Sequence, residues 1–374
     1  MSTQLLLALP WIVAALALPW AIRRRPRLSE SPPVTEDAPL ASIIVPARNE
    51  APNLGTCVGT LLASAYPAFE ILIVDDRSSD GTADIARELA RSNPDRIRFI
   101  EGRALPDGWV GKCWACWQGY REARGDVLVF TDADTRHGRS LLGHAVSALE
   151  SRGAALVTGF PRQLMNGFWE RLILPHIFTA IELRYRDPAR MNRSRKVRDA
   201  VANGQFLVFR RDAYEAIGGH EAVRGEIVED IRIAQLVVAA GRRVFTAWAK
   251  DVIETRMYRS LADIVEGWSK NLARGSRHSV DPWLRPLLPG LVAAFQIGFW
   301  VAPPALLVAA IAGGSVPLIW AATTTTASLV FWLIRHLQFR APIAYTLLFP
   351  IGAAAVALLF LRSAWLGENV TWKG

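Results

Sequence analysis

Short apolar runs recur along residues 41–247, at 41–46, 69–74, 97–100, 127–130, 154–159, 206–209 and 244–247. Continuous β-rich runs of this length predict strands covered on both faces. Stretches with apolar residues at helical spacing fall between or after them, at 53–63, 83–91, 114–121, from 227 to 240 and at 261–274. Strand–helix–strand alternation at this spacing predicts a parallel sheet covered by helices. The first strand is expected to break at Pro46, leaving Ala47-Arg48-Asn49-Glu50 as a loop.

The pattern changes at both ends. Residues 5–22 are almost wholly apolar and uncharged, and Arg23, Arg24, Arg25 and Arg27 follow at once. A signal peptide carries its charge before the apolar run, so a retained membrane helix over 1–25 is expected, with the arginines in the cytoplasm. Residues 26–39, rich in Pro, Ser and acidic side chains, read as a linker. From 285 to 374 the chain is again of membrane type, with candidate spans at 287–312, 316–334 and 343–361. Simple alternation would leave Arg362 and Lys373 outside, so one segment is expected to be re-entrant or split at Pro303-Pro304. The soluble domain is then 40–284. Within it, 165–185 has few charges and predicts an amphipathic helix on the bilayer surface or a core helix. Arg184, Arg186, Arg190, Arg193, Arg195, Lys196 and Arg198 follow as a basic run. That run is read as a solvated loop near lipid phosphates or as a contact for an anionic acceptor.

Composition agrees with a membrane protein. Hydrophobic residues make up 51% and the formal charge is +9. The arginines flank apolar spans, which favours an anionic membrane surface over nucleic acid. Three cysteines, Cys57, Cys113 and Cys116, do not form a disulfide framework, and no second pair completes a zinc site.

The candidate chemistry lies at predicted strand ends. Val127–Phe130 leads into Thr131-Asp132-Ala133-Asp134, and residues i and i+2 of an extended chain point the same way. Asp132 and Asp134 therefore aim at one point, where hard oxygen ligands suit Mg²⁺ or Mn²⁺ held together with substrate phosphates. A solvated acidic turn is the plainer alternative. The second strand ends in Asp75-Asp76. Lys112, near a helix start, is placed either to meet a diphosphate or to sit on the surface as an ordinary lysine. Glu229-Asp230 at another helix start is by itself an ordinary dipole arrangement.

Four elements in order carry a resemblance. Ser42-Ile43-Ile44-Val45-Pro46-Ala47-Arg48-Asn49-Glu50, Val74-Asp75-Asp76-Arg77-Ser78-Ser79-Asp80-Gly81-Thr82, Thr131-Asp132-Ala133-Asp134 and Glu229-Asp230 together resemble the family-2 glycosyltransferases over residues 40–280. Gly108-Trp109-Val110-Gly111-Lys112, Trp114-Ala115 and the terminal Val370-Thr371-Trp372-Lys373-Gly374 resemble the hopanoid-associated and carotenoid-acid members. The resemblance implies an α/β chain with the GT-A nucleotide-diphospho-sugar transferase fold. That fold is a mixed, mainly parallel sheet with helices on both faces, here with transmembrane helices at both termini.

It also implies residue roles. Pro46, Arg48, Glu50, Asp75, Asp76, Lys112 and Asp132 would bind the donor nucleotide, and Asp132 and Asp134 the divalent ion. Asp230 would be the general base with Glu229 beside it. The Gln/Arg-x-x-Arg-Trp motif of many members is replaced by Gly267-Trp268-Ser269-Lys270-Asn271. Gly204, Trp268 and Lys270 are therefore carried as diphosphate or acceptor contacts. The implied activity is inverting transfer from a nucleotide sugar, expected to be a UDP-sugar, to an isoprenoid, carotenoid or hopanoid lipid at the cytoplasmic face of the plasma membrane. A polyprenyl-phosphate acceptor is the alternative, and a non-catalytic membrane scaffold a further one. A Rossmann dehydrogenase is disfavoured, since no Gly-x-Gly-x-x-Gly follows the first strand.

Overall fold

The computed structural model describes residues 3–23, 26–34, 36–185, 188–277 and 280–366. They fall into two compact units. One comprises Pro26–Leu164 and Pro188–Met257; the other holds the N-terminal helices, the segment from Met165 and the described chain from Tyr258 onward.

The first unit is built on a seven-stranded sheet. Its strands are β1 (Ala41–Ala47), β2 (Phe69–Asp75), β3 (Ile97–Glu101), β4 (Val127–Thr131), β6 (Leu156–Phe160), β8 (Phe206–Arg210) and β9 (Val244–Trp248), in the order β3-β2-β1-β4-β8-β6-β9. All pairings are parallel except those of β8, which runs antiparallel to both β4 and β6. Three shorter strands, β5 (Thr135–His137), β7 (Arg162–Gln163) and β10 (Ile253–Thr255), form a second sheet in the order β5-β10-β7. The alternation of side chains splits the core into two layers. Ile43 and Val45 pack with Leu54, Val58 and Val146 on one face. Ile44, Leu72 and Val74 pack with Cys113, Cys116, Ile233 and Val237 on the other. Covered on both faces, each strand needs the near-continuous apolar runs seen in the sequence.

Three details differ from expectation. Strand β1 continues through Pro46 to Ala47, in register with Val74 and Asp75 of β2. Pairing with β4 ends at Ile44, so the missing N–H of Pro46 interrupts only a free edge. Residues 26–39 are not a free linker. Leu28 is fully buried, Trp248 N–H donates to Pro26 O at 2.9 Å, and Val34 N–H donates to Gly143 O at 3.2 Å. A β-carbon on Gly143 would lie 2.9 Å from Val34 O, so the segment presses directly on the Leu141–Ser151 helix. That helix and the small sheet were not anticipated.

The second unit is helical. Leu288–Ile311, Leu318–Gln338 and Ile343–Leu366 are long and apolar enough to cross a membrane. The first of these is not split at Pro303-Pro304. A π-helical stretch at Gln296–Val301 precedes the prolines, and the wider turn absorbs their missing N–H groups. The N-terminal stretch forms two helices, Thr3–Leu7 and Leu9–Arg23, the second restarting around Pro10. Trp11 stacks on Phe299 at 4.5 Å and donates to its carbonyl at 2.7 Å.

The Phe168–Arg184 helix belongs to this unit, which removes it from the expected 40–284 domain. Its Leu172, Ile173, Leu174 and Ile177 are buried, and His176 lies 3.6 Å from the Trp332 ring. It is a core helix of the apolar unit. Arg335 of the Leu318–Gln338 helix is 1% exposed and pairs with Glu182 at 2.7 Å, while its Nε donates to Thr179 at 2.9 Å.

Candidate active site

The parallel strands β1, β2 and β4 end on one edge of the large sheet, where open α/β sheets bind ligands. The loops after β1 and β2 are tied to each other. Asn49 and Arg77 both take left-handed backbone, with φ of 53° and 55°. Asn49 N–H donates to Ser78 Oγ at 2.9 Å, Ser79 N–H to Asn49 Oδ1 at 2.9 Å, and Glu50 N–H to Thr82 Oγ1 at 2.8 Å. These bonds tie the loop that carries Arg48 and Glu50 to the turn that follows Asp75 and Asp76.

Arg48 lies 3.3 Å from Asp76 Oδ2 and Arg77 3.6 Å from Oδ1. Burial raises the Asp76 carboxyl above its ordinary range against the pull of both guanidiniums. Asp75 accepts from Ser78 N–H at 3.2 Å through Oδ2, while its buried Oδ1 has no hydrogen-bond partner. A buried acceptor left open costs free energy unless a ligand donor fills it.

Strand β4 stops at Thr131, so Asp132-Ala133-Asp134 is the turn into β5 rather than a strand end. Ala133 is buried in the core, while Asp132 and Asp134 are only partly buried. Polar groups absent from the sequence expectation hold the turn. Thr135 Oγ1 donates to Asp132 O at 2.6 Å, and Thr131 Oγ1 donates to Gln205 O at 2.8 Å. His137 Nε2 lies 2.9 Å from Thr131 Oγ1, and burial pushes its pKa down to about 3, which keeps it neutral. No spacing links Thr131, Thr135, His137 and Gln205 in the sequence; they meet only when β5 folds back and β8 inserts beside β4.

The helix Gly111–Glu122 begins where the chain preceding Glu229 passes. Val110 N–H donates to Arg224 O at 2.7 Å, and Cys113 Sγ contacts Val223 O at 3.5 Å and Glu226 O at 3.6 Å. Burial raises the thiols of Cys113 and Cys116, which suits packing and not redox exchange. Lys112, in the first turn, thus reaches two motifs at once. Its Nζ is 2.8 Å from Asp132 Oδ1 and 2.9 Å from Glu229 Oε1. Its ammonium is held well above its ordinary pKa by these two carboxylates, which overcome the opposing effect of burial.

Asp230 accepts from Gly204 N–H through Oδ2 and from Ile231 N–H through Oδ1, both at 2.8 Å. Burial first, and the Glu229 charge second, push its pKa up to about 7, although its surface is partly open. A β-carbon on Gly204 would sit 3.0 Å from Lys112 Nζ and 3.2 Å from Glu229 Oε1, so this glycine lines the cluster.

The donor set at the β4–β5 turn is two carboxylates. Among the described residues no group of three or more His, Cys, Asp or Glu could hold a metal. Two hard oxygen ligands fit Mg²⁺ or Mn²⁺ completing their shell with phosphate and water, and do not fit a structural zinc site. The Lys112 ammonium already places positive charge against Asp132, so the site has the electrostatics of a cation position.

Residues 42–218 match the family model described as glycosyl transferase family 2. These residues form a family-2 glycosyltransferase domain. The 4,4'-diaponeurosporenoate glycosyltransferase of Staphylococcus aureus (strain MRSA252) is 25% identical over 245 residues, covering 63% of this chain and 61% of the relative. Its counterpart in strain USA300 is 24% identical over 242 residues, with the same coverage. The chain thus spans less than two thirds of the length of these curated relatives. A solved mannosyltransferase from Pyrobaculum calidifontis, in complex with GDP-Man and Mn²⁺, superposes with a TM-score of 0.58 at 23% identity, covering 96% of this chain and 99% of that one. The glycosyltransferase domain has the GT-A fold.

Trp268 belongs to the helical unit, where it is buried and edge-on to Phe178 at 5.7 Å. The side chain of Lys270 and residues 370–374 lie outside the described residues, as do Arg186 and the side chain of Arg184. Arg193 and Arg195 of the basic run, with Arg242 and Arg243, line a cavity of about 370 Å³ beside the start of β9. That is the opposite end of the sheet from Asp230. These arginines therefore do not form an acceptor-phosphate site next to the base pair.

Proposed function

We propose that the protein is an inverting glycosyltransferase that moves a sugar from a nucleotide-sugar donor to a membrane lipid of the isoprenoid, carotenoid or hopanoid class. The supporting observation is the single cluster in which Lys112 joins Asp132 of the β4–β5 turn to Glu229 of the base pair. Asp75 and Asp76 accept hydrogen bonds from the nucleoside, in the recess shaped by Pro46, Arg48 and Glu50. Lys112 stabilises charge on the leaving diphosphate. Asp134 with Asp132 would hold a divalent ion, Mn²⁺ or Mg²⁺, which would supply Lewis-acid neutralisation of the same group. Asp230 takes the proton of an acceptor hydroxyl, which attacks in line and inverts the anomeric centre. Glu229 holds Lys112 and orients the pair. A carboxylic acid acceptor is already ionised near neutral pH and depends less on Asp230.

The acceptor class rests on two supports. The chain carries three helices apolar enough to span a bilayer. The curated relatives are named for a carotenoid acid. In this reading the protein is integral to the plasma membrane, with 285–374 as its membrane region and the catalytic domain on the cytoplasmic side. A polyprenyl-phosphate acceptor draws less support, because the described arginines of the basic run lie away from Asp230.

The test is transfer by the purified full chain in detergent, with UDP- and GDP-sugars offered against carotenoid-acid and polyprenyl-phosphate acceptors. A glycolipid product that disappears with EDTA and returns with Mn²⁺ is expected. Transfer unaffected by chelation, or none to any lipid, contradicts the proposal.

A further inference from the structure

The position of Lys112 has a consequence for the order in which ligands bind. Its ammonium sits 2.8 Å from Oδ1 of Asp132, a carboxylate proposed to hold a divalent ion. The lysine side chain is 17% exposed, Asp132 29% and Glu229 7%, so the contact is partly shielded from solvent. The backbone of Asp132 is held from behind by Thr135 and Cys57, both on its carbonyl. Gly204 lines the remaining side, where any β-carbon would sit 3.0 Å from Lys112 Nζ. A dication and an ammonium on the same carboxylate repel at a distance where screening by water is weak.

We infer that Lys112 is a resident counter-ion that competes with the divalent metal for Asp132, so that the metal binds productively only together with a diphosphate. The diphosphate supplies the second partner that Lys112 needs on leaving Asp132. It also supplies oxygen ligands that two carboxylates alone leave unfilled. Lysine suits this exchange better than arginine, because its ammonium is a point charge on a flexible stem. The site thereby resists loading with metal while the donor is absent, and metal and diphosphate affinities become reciprocally coupled. Lys112 then acts as a positioning residue for the metal as well as a contact to the leaving group. This inference rests on the metal–diphosphate reading above.

The test measures Mn²⁺ alone. The full-length protein in detergent is titrated with Mn²⁺, and free aquo-Mn²⁺ is followed by electron paramagnetic resonance with and without UDP or GDP. For the native chain, Mn²⁺ binding is expected to tighten by about tenfold or more when nucleoside diphosphate is present, the usual scale of such coupling. Lys112→Met is expected to bind Mn²⁺ alone about tenfold more tightly than the native chain, since one competing charge contact is gone, and to lose most of the gain from diphosphate. Lys112→Arg keeps the charge and is expected to stay weak toward Mn²⁺ alone, which separates the charge effect from misfolding. Equal or weaker binding of Mn²⁺ by Lys112→Met, with normal binding when diphosphate is added, overturns the inference and leaves the metal reading standing. Absence of Mn²⁺ binding by the native chain under every condition overturns both.

Discussion

Lys112 Nζ lies 2.9 Å from Glu229 Oε1, so a residue at the start of one helix neutralises a residue at the start of another. One helix packs on β1 and β2 and the other on β9; in the proposed reaction their contact joins the donor side of the site to the acceptor side. Each carboxylate in the cluster then has a separable role.

In the proposed reaction Asp230 carries the proton. Its carboxyl is raised to about 7, so the base form is lost as pH falls through that value. With a hydroxyl acceptor, kcat/KM should rise with pH through about 7 and level off above it. Asp230→Asn should lower kcat by about 10²–10⁴ and abolish this limb, the usual scale for a lost general base. Nucleoside diphosphate binding, followed by calorimetry, should be unchanged. A pH profile that keeps the limb in the variant would falsify the assignment.

In the proposed reaction Asp75 holds the nucleoside. Its open Oδ1 awaits a donor. Asp75→Ala should raise the KM for the nucleotide sugar by about tenfold or more with a smaller change in kcat, as expected for a lost charge-assisted hydrogen bond. A fall in kcat alone contradicts a donor-binding role.

Gly204 is crowded by chemistry rather than by backbone. The β-carbon of alanine would come within 3.4 Å of Lys112, Glu229 and Asp230. Gly204→Ala should lower kcat/KM by at least about tenfold while shifting the melting temperature little, since misplacement in a site costs more in rate than in stability. Normal kinetics in the variant would show that the cluster relaxes freely.

The buried pair Glu182–Arg335 should act as an internal staple of the helical unit. Removing one partner leaves the other charged and buried, at a cost of about 3–5 kcal/mol. Glu182→Leu and Arg335→Leu should each lower thermal stability in detergent, and the double variant should recover part of the loss. Additive losses contradict a direct pairing.

Much of this was legible in the sequence because strands covered on both faces leave continuous apolar runs, and the acidic motifs directly follow them. Asp75, Asp76, Asp132 and Asp134 could be placed on one edge from alternation and order alone. The Lys112–Glu229 contact could not, because it depends on where the 223–226 segment crosses the Gly111–Glu122 helix. Gly204 was named in advance only through the resemblance; its proximity to the cluster follows from the antiparallel insertion of β8. The small sheet escaped notice because its strands are three residues or fewer and pair across long separations. Residues 26–39 read as a linker by composition, but their apolar anchors, Leu28 in the core with Val34 and Ala38 packed against it, outweigh the prolines and serines. The 165–185 helix was ambiguous because both a bilayer surface and a helix bundle call for the same apolar stripe.

The central claim is that Asp134 and Asp230 serve one sugar transfer to a membrane lipid. It is tested most directly by mass spectrometry of lipid extracts from host cells making the native chain, Asp134→Ala or Asp230→Asn at equal membrane abundance. The account predicts a lipid carrying an added sugar mass in cells with the native chain, absent with Asp134→Ala and strongly reduced with Asp230→Asn. Indistinguishable lipid profiles in the three strains would contradict it.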